Sequence, residues 1–260
     1  MLSTQLLEIA AQLSPSVAAW PRRKPGLFMV GGKVMRYADL HSFYWQIKQI
    51  FGDRLYNFRC RHEAPVIIDC GAHTGMATLY FKECYPKAQI TAFEADADIA
   101  DMCRANLSAH GAGDVEVKTA AVWIHDDGVT FAHSNDDAGH VVEAAPGIKT
   151  PSVRLQPLLD RRIDLLKLDV EGAEFPVIED CGDRLAQVDH IIVEVHALGP
   201  EQAAIGKMLA RLEAFGFRYV ITDLKQATWM QAETPPPFGP FRTEKFIMTV
   251  YAWHRRIYSS

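Results

Sequence analysis

Glycines, carboxylates and one histidine recur at the ends of apolar runs. The run Val66-Ile67-Ile68 leads straight into Asp69-Cys70-Gly71-Ala72-His73-Thr74-Gly75. Gly71 and Gly75 permit a tight turn and let a ligand approach the backbone closely. A helix beginning after such a turn offers free N–H groups and a positive dipole end to an anionic group. The spacing is GxxxG, not GxGxxG, so a smaller zwitterionic ligand fits better than a diphosphate. Its carboxylate would take the backbone amides, with Asp69 near its ammonium. Glu94 closes the next apolar run, Ile90-Thr91-Ala92-Phe93, 19 residues past Gly75. An acid at about that distance, at the end of the next strand, hydrogen-bonds a ribose diol. Together the two signals point to a ligand that contains a nucleoside. Tight helix–strand packing is the plainer account of the glycines alone.

Two further runs end in ionisable residues. Asp164-Leu165-Leu166-Lys167-Leu168 is followed by Asp169-Val170-Glu171-Gly172-Ala173-Glu174. Carboxylates at the carboxyl end of a buried strand are costly without a partner or a task. Helix capping and the helix dipole account for Glu174 but not for all three acids. Lys167 sits among apolar neighbours, which calls for an acidic partner. Ile191-Ile192-Val193 continues into Glu194-Val195-His196. Residues i and i+2 share a strand face, so Glu194 and His196 could reach the same cleft as Asp169. A histidine there is as readily an acid–base group as a structural one.

The elements that must position these residues alternate. From Pro65 on, strands are expected at 66–70, 89–94, 115–122, 165–170, 190–196, 217–222 and 245–254. Helices fall at 75–84, 97–110, 175–181 and 200–215. Residues 128–142 read as irregular or as a short hairpin, and 152–156 as a further short strand. This rhythm predicts an α/β fold, mostly parallel, with helices on both faces. The last two strands have no helix between them, so the last is expected to be antiparallel. The opening section, 1–62, reads as a small cap: a helix over 2–13, a hairpin over 27–37 and a helix over 39–51. The main domain spans 63–260.

Composition limits the partners. The 260 residues carry 27 basic and 32 acidic side chains, a formal net charge of -5. That builds no broad positive field for nucleic acid. Five cysteines without a CxxC pair argue against a disulfide framework or a zinc knuckle. No apolar run approaches the ~20 residues of a membrane span, and the N-terminus does not resemble a signal peptide. A cytoplasmic protein is expected; its oligomeric state is not legible.

The glycine turn, Phe93-Glu94, the string Lys167-Leu168-Asp169-Val170-Glu171-Gly172-Ala173-Glu174 and Glu194-Val195-His196 together resemble the FkbM family of S-adenosylmethionine-dependent methyltransferases. The string from Lys167 is the specific part; the glycine turn would fit any class I methyltransferase. The resemblance spans roughly residues 65–222. It implies a Rossmann-like class I fold with a seven-stranded sheet and an antiparallel last strand. It implies S-adenosylmethionine held by Asp69, Gly71, Ala72, His73, Gly75 and Glu94, with Asp169 beside it and Ala121 and Val122 near the adenine. It also implies O-methylation of a sugar, a polyketide or another secondary metabolite. On that reading His196 is the general base, oriented by Glu194 or Asp169. A variant places magnesium or manganese among Asp169, Glu171, Glu194 and His196 to acidify the hydroxyl.

Three rivals stand beside it. A nucleic-acid or other nitrogen methyltransferase would carry an Asp/Asn-Pro-Pro-aromatic string after the fourth strand, where Asp169-Val170-Glu171-Gly172 stands instead; Pro235-Pro236-Pro237-Phe238 comes too late. A nicotinamide-dependent dehydrogenase is disfavoured by the glycine spacing. A protein that binds the cofactor without catalysis would use the strand-tip acids for packing. Tyr37, Tyr44, Trp45, Trp229 and Phe238 are the aromatic candidates for stacking on an acceptor, with plain packing favoured for Tyr44 and Trp45.

Overall fold

A computed structural model describes residues 1–133, 139–142, 148–197, 202–226 and 246–258. Seven strands form the central sheet: β3 (Val66–Cys70), β4 (Gln89–Glu94), β5 (Glu116–Thr119), β11 (Ile163–Leu168), β12 (Val188–Ala197), β13 (Phe217–Gln226) and β14 (Phe246–His254). Their order is β13-β14-β12-β11-β3-β4-β5. The pairs from β5 to β12 are parallel, while β14 runs antiparallel to both β12 and β13. The expected fold is thus the observed one. The last strand does more than form a hairpin, because it lies between its predecessor and the rest of the sheet.

Alternation along the strands builds a core on each face. Ile67, Ile90, Ala92, Leu165 and Ile192 share one cluster with α3 (Met76–Cys84), α4 (Ala97–Ala109) and the N-terminal elements. Ile68, Phe93, Leu166, Leu168, Ile191 and Val193 share the other with α5 (Glu174–Cys181) and α6 (Gln202–Ala214). The chain steps outward through β4 and β5, then returns to lay β11 beside β3. That reversal is a switch point, and ligands of open α/β sheets bind in the crevice it opens at the strands' carboxyl ends.

The N-terminal residues fold as α1 (Leu2–Leu13), the hairpin β1 (Gly26–Val30) and β2 (Lys33–Tyr37), and α2 (Leu40–Gln46), which Asp39 caps through Ser42 N at 2.9 Å. The single helix expected over 39–51 ends at Gln46, and residues 47–52 continue in a wider π-helical turn. Fully buried Asn106 ties this layer to the glycine turn. It accepts from Arg36 N at 2.7 Å and donates to Arg36 O and Thr74 O, both at 2.9 Å.

The single strand expected over 115–122 is two. β5 ends at Thr119, and β6 (Ala121–Trp123) leaves the main sheet to pair in parallel with β10 (Ser152–Arg154). The hairpin expected in 128–142 is β7 (Val129–His133) with β8 (Gly139–Val142), joined by β9 (Ile148–Thr150). Trp229, Pro235–Pro237 and Phe238 lie outside the described residues. Among the described residues, no helix is long and apolar enough to cross a membrane.

Candidate active site

β3 delivers the glycine turn to the crevice. Gly71 and Gly75 have φ of +80° and +88°. A Cβ on Gly71 would stand 1.8 Å from the backbone oxygen of Asp169. Gly71 N and Ala72 N both donate to Phe93 O, at 3.0 and 2.9 Å, which locks the turn onto the end of β4. His73 holds a left-handed φ of +48°, and its N–H donates to Glu94 Oε2 at 2.8 Å. The other Glu94 oxygen accepts from Asp96 N at 3.0 Å. Burial pushes the Glu94 carboxyl up to about 7, against the lowering effect of these two N–H donors.

The His73 ring is 2.9 Å from the Gln46 amide through Nδ1, so α2 reaches the turn from outside the sheet. Burial pushes the ring down to about 4 and keeps it neutral. Two buried atoms here, Gln46 Oε1 and Thr74 Oγ1, have no hydrogen-bond partner among the described residues.

Beneath the turn lies a buried ion cluster. Asp69 is fully buried; it accepts from Thr78 Oγ1 at 2.6 Å and pairs with Lys167 Nζ at 3.1 Å. The ammonium beside Asp69 in this structure is therefore the protein's own. Lys167 also lies 3.4 Å from Asp169 Oδ2, donates to Gly71 O at 2.8 Å and sits over the Tyr56 ring. Burial opposes its charge, but Asp69 and Asp169 raise its pKa on balance. This accounts for the lysine that looked misplaced in an apolar strand.

His196, at the end of β12, is buried between two glutamates. Its Nδ1 is 3.1 Å from Glu174 Oε1, and its Nε2 is 3.3 Å from Glu171 Oε2. Glu174 is fully buried and accepts from Val170 N at 3.1 Å and from Gly172 N at 3.0 Å. Its charge is thus held by the loop that follows β11. The sequence reading assigned Glu174 to capping and looked to Glu194 or Asp169 to orient the histidine. Glu174 caps no helix N–H; it holds the loop before α5, and only the fold brings it to His196, 22 residues on. Burial works against a charged His196, while the Glu174 contact and the Glu171 charge draw its pKa up. Burial raises Glu171, with His196 pulling the other way.

Glu171 has a φ of +54°, next to Gly172 at +99°, which presents its partly exposed carboxylate at the crevice. Ligand atoms of Asp169, Glu171 and His196 all lie within 4.8 Å of one another. Glu194 is partly buried and stands opposite Thr249 of β14. Ala121 and Val122 are buried in β6, just past the end of β5. Tyr37 and Tyr44 are buried, Tyr37 packing on Phe43, whereas Trp45 is 46% exposed.

The strand order and the glycine turn at its switch point define the class I methyltransferase architecture. The profile of the methyltransferase FkbM domain matches residues 69–219. The chain belongs to the FkbM methyltransferase family. It is 26% identical over 177 residues to "Methyltransferase 1" of Beauveria bassiana (strain ARSEF 2860), covering 57% of this chain and 71% of that one. A shorter stretch of 65 residues is 38% identical to "Methyltransferase sdnD" of Sordaria araneosa and covers 25% of each chain. Among solved structures, methyltransferase FkbM from Methylobacillus flagellatus KT aligns at a TM-score of 0.48 and 12% identity, over 82% of this chain and 54% of that one.

Proposed function

We propose that this methyltransferase binds S-adenosylmethionine at the glycine turn and transfers its methyl group to a hydroxyl of a small molecule, of the sugar or polyketide type. The observation that carries the reading is His196 fixed between Glu171 and Glu174 beside the glycine turn. The turn suits the cofactor: Gln46 Oε1 and Thr74 Oγ1 are buried polar atoms beside it, left for a polar ligand to match. Glu94 already accepts two backbone donors, and its remaining lone pairs would take the ribose hydroxyls. Asp69 and Lys167 hold the turn in shape from below. Ala121 and Val122 would wall the adenine.

Methyl transfer is a displacement at a sulfonium carbon. The acceptor oxygen forms the new bond, the carbon–sulfur bond breaks, and its electron pair stays on sulfur. Alignment in a closed site supplies most of the rate, as much as ~7–11 kcal/mol. The hydroxyl proton must go to a base. The ionised Glu171 carboxylate, nearer the crevice, takes it, with the charged His196 ring held beside it and Glu174 anchoring that ring from behind. A second reading rests on the closeness of Asp169, Glu171 and His196. Two carboxylates and an imidazole whose other nitrogen meets a buried carboxylate suit magnesium or manganese, which would acidify the hydroxyl.

Residues 1–62 serve in this reading as the cap that bears acceptor choice, and the protein acts in the cytoplasm. The test is transfer of isotope-labelled methyl to a panel of hydroxyl and amine acceptors, with and without EDTA. Labelled methyl ether that disappears in Glu171→Gln and His196→Ala, with cofactor binding intact, supports the reading. Labelling of amines alone, or cofactor binding without turnover on any acceptor, refutes it. Loss of activity with EDTA and its return with manganese selects the metal variant.

A further inference from the structure

The amino-terminal edge of the sheet, opposite the glycine turn, holds a cavity of about 780 Å³. That is the size of a small-molecule site. Four arginines line it: Arg59, Arg61, Arg162 and Arg256. They arrive from three separate places: the segment before β3, the residue before β11, and the residues just after β14. In a chain of net charge -5 this is a local excess of positive charge. One carboxylate, Asp189 at the start of β12, faces them from the lining.

Asp189 is 2% exposed and organises the cluster. Its Oδ2 accepts from Arg162 Nε at 2.9 Å, and its Oδ1 accepts from Arg256 Nε at 2.9 Å and Nη2 at 2.6 Å. Arg162 also approaches the buried Asp164 at 3.9 Å. Both guanidiniums are therefore fixed in place while their side chains stay 52% and 37% exposed. Arg59 and Arg61 add two more guanidiniums to the same lining. Asp189 takes the Nε and Nη2 edges of both Arg162 and Arg256, and Arg256 Nη1 also donates to Ala186 O; the N–H groups left over on guanidiniums fixed in this way suit a tetrahedral oxyanion.

We propose that this cavity is a second binding site, for a small molecule bearing a phosphate or pyrophosphate group. It is separate from the methyl-transfer site and does not depend on that assignment. The site would hold the anionic end of such a ligand at the opposite edge of the sheet from the glycine turn.

The test is calorimetric titration of the full chain with inorganic pyrophosphate and with a nucleoside diphosphate. Saturating S-adenosylhomocysteine is present to close off the glycine turn. Saturable binding is expected that weakens about tenfold or more in the Arg59→Glu/Arg61→Glu variant, since charged contacts to an oxyanion are lost. Both substituted residues are exposed, so the fold should survive, and an unchanged melting temperature checks this. An Arg162→Lys variant keeps the charge but loses the planar guanidinium that Asp189 holds in place; it should weaken binding as well. Tighter binding of the nucleoside diphosphate points to an esterified ligand, and equal binding to the free anion. No saturable binding, an equal response to sulfate at matched ionic strength, or full binding by the double variant overturns the proposal.

Discussion

Gly71 and Asp169 are packed backbone to backbone, so that a methyl group on Gly71 would lie 1.8 Å from the Asp169 carbonyl oxygen. This contact sets the distance between the glycine turn and the acidic loop after β11. Gly71 also holds a φ of +80°, which an L side chain strains to adopt. Gly71→Ala is therefore expected to destabilise the fold by about 3 kcal/mol or more and to abolish cofactor binding. Denaturant unfolding and calorimetry check both. Unchanged stability would show that the two loops can part without cost.

Lys167 and Asp69 form a buried pair, and such pairs fail asymmetrically. Lys167→Met leaves Asp69 charged and uncompensated, which costs ~3–5 kcal/mol. Adding Asp69→Asn removes the orphaned charge, so the double variant should be more stable than Lys167→Met alone. Urea midpoints of the three proteins decide it.

Glu94 yields a pH prediction. Its carboxyl is held up to about 7, so it is largely protonated below that pH and ionised above it. The ionised form is the better acceptor for ribose hydroxyls. Affinity for S-adenosylhomocysteine should rise as pH climbs through about 7 and then level off. Titrations from about pH 5.5 to about pH 8.5 would show this. Glu94→Gln should bind more weakly and without the step.

Glu174 acts through His196, and its substitution should separate rate from binding. Glu174→Gln keeps the shape but loses the charge facing Nδ1. Turnover should fall ~10–100-fold, the usual cost of removing an orienting partner. Cofactor affinity should stay within about twofold, because the glycine turn is untouched. An equal fall in both would make Glu174 a support of the turn instead.

Gln46 stands on α2, outside the residues matched by the FkbM domain, yet it touches His73 in the glycine turn. Gln46→Ala should weaken cofactor binding about three- to tenfold, the loss of one hydrogen bond in a buried setting. The melting temperature should barely move.

The sheet was legible because its strands are apolar runs with charged ends, and the helices between them follow a 3.6-residue period. The candidate site was legible where a residue type and a strand end coincided, as at Gly71, Glu94, Asp169 and His196. Two things were hidden. Glu174 looks like a helix-terminal acid in sequence, and only the meeting of β11 and β12 turns it toward His196. Gln46 carries no local signal, because its partner is 27 residues away and the contact exists only once α2 docks. The split of 115–122 into β5 and β6 was missed for a similar reason. The apolar pattern continues through Ala120, while the pairing partner changes from β4 to β10.

The placement of β14 bears on how the chain reaches its native state. β14 joins β12 to β13, so β13 has no sheet to join until residues 246–254 arrive. During synthesis, β12 would present a bare, apolar edge of ten residues after the catalytic loops are already complete. Such an edge invites mispairing with other chains. Nascent-chain length, rather than any property of the finished site, then sets when this protein is safe from aggregation.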